Sequence, residues 1–579
     1  MKKRKLTTTP IFCIVILLFF TSCNSSNSEK SDIPTDSVTI AKGQLAFSQN
    51  CSACHNFRQD GIGPQLGGIT RTVSSIWIKD FIKNPKGLVD AGDERSQKLL
   101  ARYKTLMPSF AHYSDEDLTQ IVAYLHTQNK PELSGPETGG PQEIKDPLPG
   151  PIQQSNLVVN VEFVTQIPFS GDKGFKTRIT KLDFIPESQR MFMVDLRGKL
   201  YELRNNQPGV YMDMAVLKPK FIDQPGLATG FGSFAFHPEF LKNGLLYTGH
   251  TEAAGSAKAD FHYADSIPVA LQWVVSEWKT EKPDAFPFKG KSRELFRIDM
   301  VTGMHGVQEL TFNHNAKTGG EDYGLLYIGI GDGACVESGF PFLVHNIEKP
   351  WGSIFRIDPR GNNGANKQYG IPATNPFAKD ENDQALGEIF AYGFRNPHRI
   401  TWSKDGKMLA SNIGQAQIES VNLILPGHNY GWPIREGTFL LNPFGDITKV
   451  YPLPEDDANY NVTYPAAQYD HDDGMAVSGG FEYTGSAIRQ LNGKYLFADM
   501  NNGRLYYLDL ADVKPGNLST IKEWKISFNG KLTSTAELCG SKRVDLRFGK
   551  DYNGDVYFFS KQDGKVYRLA GANSAISKI

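Results

Sequence analysis

Leu310-Thr311-Phe312, followed by Gly324-Leu325-Leu326-Tyr327, is one copy of a unit that recurs after residue 157. In each copy an apolar strand runs into a turn, and a second strand begins near a glycine with alternating apolar residues. The other copies share this pattern and lie at 182–201, 234–247, 400–409, 493–497 and 546–557. Six irregularly spaced strand pairs are typical of a β-propeller with one blade per repeat. We therefore predict an all-β, six-bladed β-propeller over residues 158–572; separate β-sandwiches are the alternative.

Composition and charge limit the classes of partner. The chain has 579 residues, which is too long for one ordinary core, so we expect at least two domains. Its formal net charge is -1, with 62 Lys and Arg against 63 Asp and Glu. A chain so balanced has no electrostatic reason to bind nucleic acid or an anionic membrane surface. We predict no nucleic-acid partner.

The first 23 residues have the pattern of a bacterial lipoprotein signal peptide. Basic residues at 2–5 precede an apolar stretch at 11–20, which is too short for the ~20 residues that cross a bilayer. The stretch ends in Phe20-Thr21-Ser22-Cys23, so Cys23 is the predicted lipid attachment site. Ordinary signal cleavage and an uncleaved anchor are the alternatives. Residues 24–38 are then a polar tether, and we predict export to the bacterial periplasm or cell envelope, with lipid as the only membrane anchor.

A haem attachment motif follows the tether. Cys51-Ser52-Ala53-Cys54-His55 has the C-x-x-C-H pattern. Two thiols three positions apart can both reach the vinyl groups of one porphyrin, while the adjacent imidazole coordinates the iron from one side. A zinc site would need a second ligand pair at finger spacing, which His112 and His126 do not supply. We predict one covalent haem c on Cys51 and Cys54, with His55 as an axial iron ligand.

Residues 39–129 resemble the class I cytochromes c, so a small all-α domain is expected there. Met107, in Met107-Pro108-Ser109-Phe110, lies where these cytochromes place the second axial ligand; core packing is the alternative role. His/Met ligation raises the haem potential, which suits an electron acceptor. Ser114-Asp115-Glu116-Asp117 predicts a helix that opens with a capping box. The Pro- and Gly-rich composition of residues 130–157 predicts a linker.

Two cysteines, Cys335 and Cys539, belong to neither the signal sequence nor the haem motif. An exported protein can pair such a couple in a disulfide, but sequence alone does not show that the two residues meet. A disulfide and two separate thiols therefore both stay open.

The propeller segment resembles the soluble aldose and sorbosone dehydrogenases that use pyrroloquinoline quinone (PQQ). The resemblance spans nearly all of residues 158–570. It rests on the run 305–333, on Phe394-Arg395-Asn396-Pro397 and Asn429-Tyr430-Gly431-Trp432-Pro433, and on the runs 351–359 and 495–499.

The resemblance implies roles for individual residues. His305 stands where this family has its general base, which takes a hydroxyl proton while hydride moves to the quinone. Arg395 matches the arginine that pairs with a quinone carbonyl, and Arg543 lies near the basic positions that hold the cofactor carboxylates. The backbone carbonyls of Gly414 and Gln415 match a turn that holds calcium. A structural turn for His305 and a tie between blade loops for Arg395 are the alternatives.

The chain departs from the family pattern at three positions. Met304 stands where the glucose-oxidising members carry Asp. Asn501 replaces a lysine that grips PQQ, and the glutamine expected near Ala228 is missing. These departures argue against glucose as the substrate and leave PQQ binding to be tested.

Two further loops carry candidate residues. Gly331-Asp332-Gly333 is favoured as a tight turn of architectural value only. His471 with Asp472 and Asp473 fits either a substrate mouth or solvated loop charge equally well.

Two functions fit these observations. The favoured one is an exported quinohaem oxidoreductase that oxidises a CH–OH group of a sugar or alcohol with PQQ and calcium on the propeller. Its electrons pass to haem c and then to an external acceptor, such as a cytochrome or a respiratory chain. The alternative is a non-enzymatic propeller that binds carbohydrate or protein and is tethered to an electron-transfer cytochrome.

Overall fold

The structure, a computed structural model, describes residues 33–51, 55, 57, 63–103, 106–129, 142–172, 174–225, 228–379, 384–415 and 417–574. The predicted signal peptide 1–23 with Cys23 lies outside these ranges, as do Cys54, most of the predicted tether and residues 130–141 of the predicted linker. Within the described ranges, no helix is both long enough and apolar enough to cross a membrane.

The N-terminal domain is helical. Its described helices are α1 (Ser37–Asn50), α2 (Ile69–Thr72), α3 (Ser75–Lys83), α4 (Pro85–Asp90), α5 (Glu94–Tyr103) and α6 (Asp115–Thr127). α1 begins inside the predicted tether 24–38, because Asp36 caps it by accepting a hydrogen bond from the Thr39 amide. α6 begins at the predicted capping box, in which Ser114 and Asp117 exchange hydrogen bonds.

α1 and α6 cross at Gly43. A Cβ on Gly43 would lie 1.8 Å from the backbone oxygen of Gln120, so no larger residue fits this crossing unless a helix shifts. Phe47 of α1 and Leu118 of α6 lie in the buried core beside the crossing, and the same core includes Cys51 and the partly buried Met107. The helix crossing therefore places the haem motif and the predicted second ligand against one core.

The rest of the described chain forms the predicted six-bladed propeller, in which each blade is an antiparallel sheet. The first blade consists of β2 (Ile179–Phe184), β3 (Met191–Asp195), β4 (Lys199–Arg204) and β5 (Gln207–Asp213). The second consists of β6 (Phe231–Phe236), β7 (Leu245–Ala253), β8 (Leu271–Lys279) and β9 (Lys291–Met300). The third consists of β10 (Val307–Phe312), β11 (Leu326–Ile330), β12 (Ser353–Ile357) and β13 (Ile389–Tyr392). Leu310 pairs with Ile328 and Phe312 with Leu326, so the repeat that opened the sequence analysis is a true strand pair.

Of the other three blades, the fourth and fifth carry extra strands, and the sixth is completed by the N-terminal strand. The fourth contains β14 (Pro397–Trp402), β15 (Met408–Asn412), β16 (Ile418–Leu423) and β20 (Ala467–Asp470), with a small inserted sheet of β17 (Arg435–Glu436), β18 (Phe439–Leu441) and β19 (Val450–Tyr451). The fifth contains β21 (Val477–Glu482), β22 (Lys494–Asp499), β23 (Leu505–Asp509) and β24 (Lys522–Phe528), with β25 (Lys531–Thr533) beside β24. The sixth contains β26 (Leu546–Lys550), β27 (Val556–Ser560), β28 (Lys565–Ser574) and the N-terminal β1 (Gln153–Gln166).

Short helices connect some of these strands. The α-helical ones are α7 (Met214–Leu217), α8 (Phe240–Asn243) and α9 (Thr535–Cys539), and the 3₁₀ turns are Pro341–Leu343, Asp457–Tyr460, Arg489–Leu491 and Leu510–Asp512.

The first strands of the blades form a closed ring around a central channel. β2 contacts β6 and β26, β6 contacts β10, β10 contacts β14, β14 contacts β21, and β21 contacts β26. All six strands run the same way through the blades, so the loops that precede them meet at one mouth of the channel. That mouth is where a propeller positions its functional side chains.

β1 closes the ring. It pairs antiparallel with β28 and parallel with β24, and so joins the outer edges of the fifth and sixth blades. β1 begins at Gln153, inside the predicted linker 130–157, and not at 158. The segment just before it is also bound, because the Ile144 amide donates to the Val450 carbonyl at 2.9 Å. The second half of the predicted linker therefore belongs to the propeller.

Candidate active site

A cavity with about 1170 Å³ of empty space opens at this mouth of the channel. Loops and strand starts from all six blades line it, and every propeller residue predicted to act does so. Those residues are His305, Arg395, Gly414, Gln415 and Arg543. His55 of the cytochrome-like domain lines the same cavity.

His305 is held by a buried carboxylate. Its Nδ1 lies 2.8 Å from Oδ1 of Asp332, and Oδ2 of Asp332 accepts a hydrogen bond from Nε1 of Trp432 at 3.0 Å. His305 and Asp332 are 6% and 1% exposed, so little water competes for these contacts. A carboxylate that accepts from Nδ1–H leaves Nε2 as the proton acceptor. The turn at Asp332, predicted to be purely architectural, therefore also positions the imidazole.

The backbone at His305 is strained. Its φ is 45°, in the left-handed region that a histidine seldom adopts. Gly331 packs against it, since a Cβ on Gly331 would lie 2.2 Å from the His305 carbonyl oxygen. Strain of this kind persists where the surrounding structure overdetermines a conformation, as at many functional sites.

Arg395 is buried, and each of its three guanidinium nitrogens donates a hydrogen bond. Its Nη1 donates to the Gly414 carbonyl at 2.7 Å, its Nε donates to the Gln415 side chain at 2.9 Å, and its Nη2 pairs with Glu337. The predicted cofactor arginine is therefore hydrogen-bonded to the turn predicted to hold calcium. No cluster of three or more His, Cys, Asp or Glu suited to a metal occurs in the described ranges. Backbone calcium ligation at Gly414 and Gln415 stays a prediction.

A basic patch forms one wall of the cavity. Arg547, Lys561 and His398 line it at 4–5% exposure, beside the half-buried Arg543. Asp545 lies 2.9 Å from Nη1 of Arg547 and 3.5 Å from Nζ of Lys561. Arg547 and Lys561 thus share one carboxylate.

This patch has unused hydrogen-bonding atoms. Nε of Arg543, Nε of Arg547 and Nδ1 of His398 are buried and have no hydrogen-bond partner among the described residues. Burial lowers the pKa of Lys561 to about 7, against the opposing effect of Asp545, and Arg547 lowers it further. Of these atoms, Nε of Arg543 and Nε of Arg547 are buried donors without acceptors, which is costly, so this wall fits an anionic ligand that would accept from them.

The three departures from the family pattern lie on the cavity wall. Asn501 and Ala228 line it, as do Met304, Met475 and Met500, which make part of the wall apolar. Sequence analysis gave no role to Glu337, Arg547 and Lys561, and it favoured a purely architectural role for the turn at Asp332. No local motif marks Glu337, Arg547 or Lys561, because each reaches the cavity only through its position at the ring.

The loop at His471 has another role. Nε2 of His471 lies 3.3 Å from Oε1 of the buried Glu419, and Asp473 accepts hydrogen bonds from Arg504 and from the Ile152 amide. Neither predicted alternative, substrate mouth or solvated charge, describes these contacts. The loop instead fastens the segment before β1 to the propeller.

A second cavity, with about 690 Å³ of empty space, lies in the helical domain. Cys51, His55 and Met107 line it together with apolar side chains such as Leu99 and Leu100. Nδ1 of His55 lies 2.8 Å from the Pro64 carbonyl oxygen, and a donor at Nδ1 makes Nε2 the ring nitrogen that can coordinate iron. A thiol, an imidazole and a thioether around one apolar cavity fit haem c, with Cys54 outside the described residues.

The two cavities are neighbours. His55 and Arg543 line both of them. Beside this point, a Cβ on Gly174 would lie 3.1 Å from Oδ1 of Asn50, so the end of α1 touches the loop before β2. The helical domain therefore sits over the mouth of the channel.

Cys335 and Cys539 form no disulfide. Cys335 is buried in the turn after Asp332, where burial raises its pKa well above the usual value. Cys539 ends α9, and its Sγ lies 3.6 Å from the Ala536 carbonyl oxygen. Of the two alternatives, separate thiols are observed.

Comparison with known proteins identifies the class. Residues 178–568 match the model of the family described as glucose/sorbosone dehydrogenase, and residues 40–129 match that of cytochrome c. The chain belongs to the glucose/sorbosone dehydrogenase family and carries an N-terminal cytochrome c domain. Both expected resemblances are thereby confirmed.

Individual relatives are more distant. The chain is 27% identical to the HIPL2 protein of Arabidopsis thaliana over 68% of this chain and 61% of that protein. It is 23% identical to aldose sugar dehydrogenase YliI of Escherichia coli (strain K12), over 68% of this chain and 90% of that one. It spans about half to three fifths of the length of its plant and human relatives.

The solved structures agree on the fold. The soluble aldose sugar dehydrogenase of Escherichia coli in its apo form matches with a TM-score of 0.50 at 18% identity, over 72% of this chain and 100% of that one. The propeller fold is therefore confirmed by a known structure.

Proposed function

We propose that the chain is an exported oxidoreductase that oxidises a CH–OH group of a sugar or alcohol at the propeller mouth and passes the electrons to haem c. One observation carries the proposal: His305, which Asp332 holds, and His55, the proposed haem ligand, line the same cavity. A base and an electron acceptor that share one space suit an oxidation whose electrons leave through the haem. Membership of a sugar dehydrogenase family and the cytochrome c domain support the same proposal.

PQQ is the proposed redox cofactor of the propeller. When bound, it supplies a quinone that accepts the two electrons of the oxidation. The donors of Arg543, Arg547 and Lys561 would hold its carboxylates, and Lys561 offers a cation where Asn501 removes one. Arg395 would face a quinone carbonyl, and calcium at Gly414 and Gln415 is proposed as the polarising cation.

His305 would act on the substrate directly. Its Nε2 accepts the hydroxyl proton, while Asp332 at 2.8 Å from Nδ1 stabilises the imidazolium that forms. The helical domain over the mouth restricts the access of water. Because Met304, Met475 and Met500 make part of the wall apolar, a substrate less hydroxylated than glucose fits this site best.

The sequence of the N-terminal segment is the basis for a proposed cellular location of the protein. We propose that residues 1–23 direct export and that lipid on Cys23 holds the protein in the bacterial cell envelope. An external cytochrome or respiratory-chain component would then collect the electrons.

One observation favours the alternative function, a binding propeller beside an independent cytochrome. Each of the three guanidinium nitrogens of Arg395 already donates to a group of this chain, so the arginine also fits the alternative role of a tie between blade loops. In that case no substrate would reduce the haem.

A reconstitution experiment separates the two functions. The purified haem-containing chain is loaded with PQQ and calcium, and haem reduction is followed after the addition of aldoses and alcohols. We expect reduction with some of these substrates, and loss of that reduction in His305→Ala with an unchanged haem spectrum. His428→Ala removes an exposed histidine outside the cavity and should behave as wild type. No PQQ retention and no reduction across the panel would refute the enzyme; wild-type turnover of His305→Ala would remove this residue from the mechanism.

A further inference from the structure

We infer that Arg543 couples the propeller channel to the haem: its positive charge raises the haem reduction potential, and an anion bound in the channel cancels part of that effect. The inference rests on the haem part of the proposed function and requires neither PQQ nor sugar oxidation.

The position of Arg543 carries the argument. The residue lines the channel cavity beside Arg547 and Lys561, and it lines the haem cavity beside Cys51 and His55. Among the described residues of the haem cavity, Arg543 is the one formally charged side chain. The other described residues that line this cavity carry no formal charge, so Arg543 is the lining side chain through which a full charge acts on the haem from this side.

The side chain is fixed in place. Its guanidinium lies over the ring of Phe175, 5.1 Å from the centroid. Ser541 holds the backbone on both sides, since its Oγ accepts from the Arg543 amide at 3.2 Å and donates to the Arg543 carbonyl at 2.9 Å. Nε of Arg543 is buried without a partner among the described residues. A cation placed at the border of the two cavities, with an unused donor, can bind an anion that enters from the channel side.

Electrostatics gives the direction of the effect. Reduction of the haem removes one positive charge from the iron, so a neighbouring cation disfavours the ferric form and raises the reduction potential. An anion that pairs with Arg543 neutralises this cation and lowers the potential again. Linkage requires the reciprocal effect: the anion binds more tightly to the ferric than to the ferrous protein, by the same factor. Occupancy of the channel would thus make the haem a stronger donor to its external acceptor.

The test uses the full-length haem-containing protein without PQQ. The haem midpoint potential is measured by spectroelectrochemistry in wild type, Arg543→Gln, Arg543→Lys and Lys542→Gln, at low ionic strength because salt screens such effects. We expect a lower potential in Arg543→Gln and nearly wild-type values in Arg543→Lys and Lys542→Gln. Lys542 is the matched control, because it is the adjacent residue, carries the same charge, is exposed and lines neither cavity.

A second measurement tests the coupling. Citrate, a tricarboxylate, is titrated at constant ionic strength, and it should lower the midpoint potential of wild type but not of Arg543→Gln. An unchanged potential in Arg543→Gln with an intact haem spectrum would overturn the inference, as would a citrate response that is equal or absent in both proteins. The pyridine haemochrome spectrum measures the haem content of each protein. A chain that carries no haem would refute the proposed function, whereas the outcomes above, in a chain that carries haem, would overturn only the inference about Arg543.

Discussion

At the scale of the residue, Asp332 decides what His305 can do. Oδ1 of Asp332 accepts a hydrogen bond from Nδ1 of the His305 imidazole, and Oδ2 accepts one from the indole Nε1 of Trp432. The Ala334 amide also donates to Oδ1, at 2.8 Å, so the carboxylate cannot rotate away. This arrangement fixes both the ring orientation and the tautomer of the proposed base.

Asp332→Asn tests this positioning role. An amide can present its NH₂ group to Nδ1, which would place the proton on Nε2 and remove the acceptor from the cavity. We expect the rate of substrate-driven haem reduction to fall by about 10²–10⁴-fold, with the haem spectrum and PQQ retention unchanged. Trp432→Phe removes only the outer hydrogen bond and should have a smaller effect. An unaltered rate in Asp332→Asn would show that the carboxylate is structural.

Lys561 predicts a pH effect on ligand binding. Burial lowers its pKa to about 7, so at pH 8 most molecules hold a neutral Lys561 in the ligand-free protein. An anion beside it favours the ammonium form, so binding raises the pKa and takes up a proton. We expect PQQ binding at pH 8 to take up about one proton through this residue, and PQQ affinity to fall as the pH rises above 7.

Calorimetry measures this proton. Titrations of PQQ at pH 8 in two buffers with different ionisation enthalpies give the number of protons taken up. Lys561→Arg is the matched control, since arginine stays charged and its binding should be nearly proton-free. Equal proton uptake in wild type and Lys561→Arg would assign the proton to another group.

Some of these residues could be predicted from the sequence and others could not. His305 and Arg395 lie within contiguous motifs, so a resemblance locates them. Asp332 lies 27 residues after His305, in a turn whose composition suits any tight loop. Arg547 and Lys561 enter the cavity from β26 and from the end of β27, and only ring closure places them opposite the other blades. Contacts that depend on the register between blades leave no local signal.

At the scale of the element, the close crossing of α1 and α6 is expected to determine the stability of the haem domain. Gly43→Ala places a methyl group where the Gln120 carbonyl oxygen lies, 1.8 Å away. Overpacking of this kind costs about 1–3 kcal/mol or more, and here it would separate the helix that precedes Cys51 from its partner. We expect a lower thermal midpoint and reduced haem content in Gly43→Ala, measured by haem absorbance during heating. Leu45→Ala, at an exposed position of α1, should keep both near wild type; equal stability of the two variants would contradict the prediction.

The same scale shows why the start of β1 was assigned to the linker in the sequence analysis. Its first four residues, Gln153, Gln154, Ser155 and Asn156, are polar and mostly exposed, so they resemble the linker that precedes them. Val159 and Val161 are the buried part of the strand, at 0% and 2% exposure. The inner strand pairs were predicted because both of their faces are buried and apolar. An outer strand that is held by backbone hydrogen bonds to β24 on one side and β28 on the other needs no such pattern.

At the scale of the whole molecule, the connection between the domains is short. The Leu148 and Ile152 amides donate to Asp470 and Asp473, so the chain is bound to the propeller well before β1 begins. In sequence, residues 130–141 separate the described end of the helical domain from the described start of the propeller segment. A short connection and a shared cavity wall at Arg543 give the haem domain a high effective concentration at the channel mouth.

This geometry predicts that electron transfer to the haem is intramolecular. In the PQQ-loaded wild type, the first-order rate constant for substrate-driven haem reduction should not change when the protein is diluted from micromolar to nanomolar concentration.

A pair of variants provides the bimolecular comparison: Cys51→Ala/Cys54→Ala, which oxidises substrate without haem, and His305→Ala, which carries haem without the base. Their mixture should reduce haem at a rate per haem that falls in proportion to dilution, and at micromolar concentration it should be about 10²–10³-fold slower than wild type, because a short tether supplies roughly millimolar effective concentration. A wild-type rate that falls on dilution would show that electrons leave the propeller for the haem of another molecule.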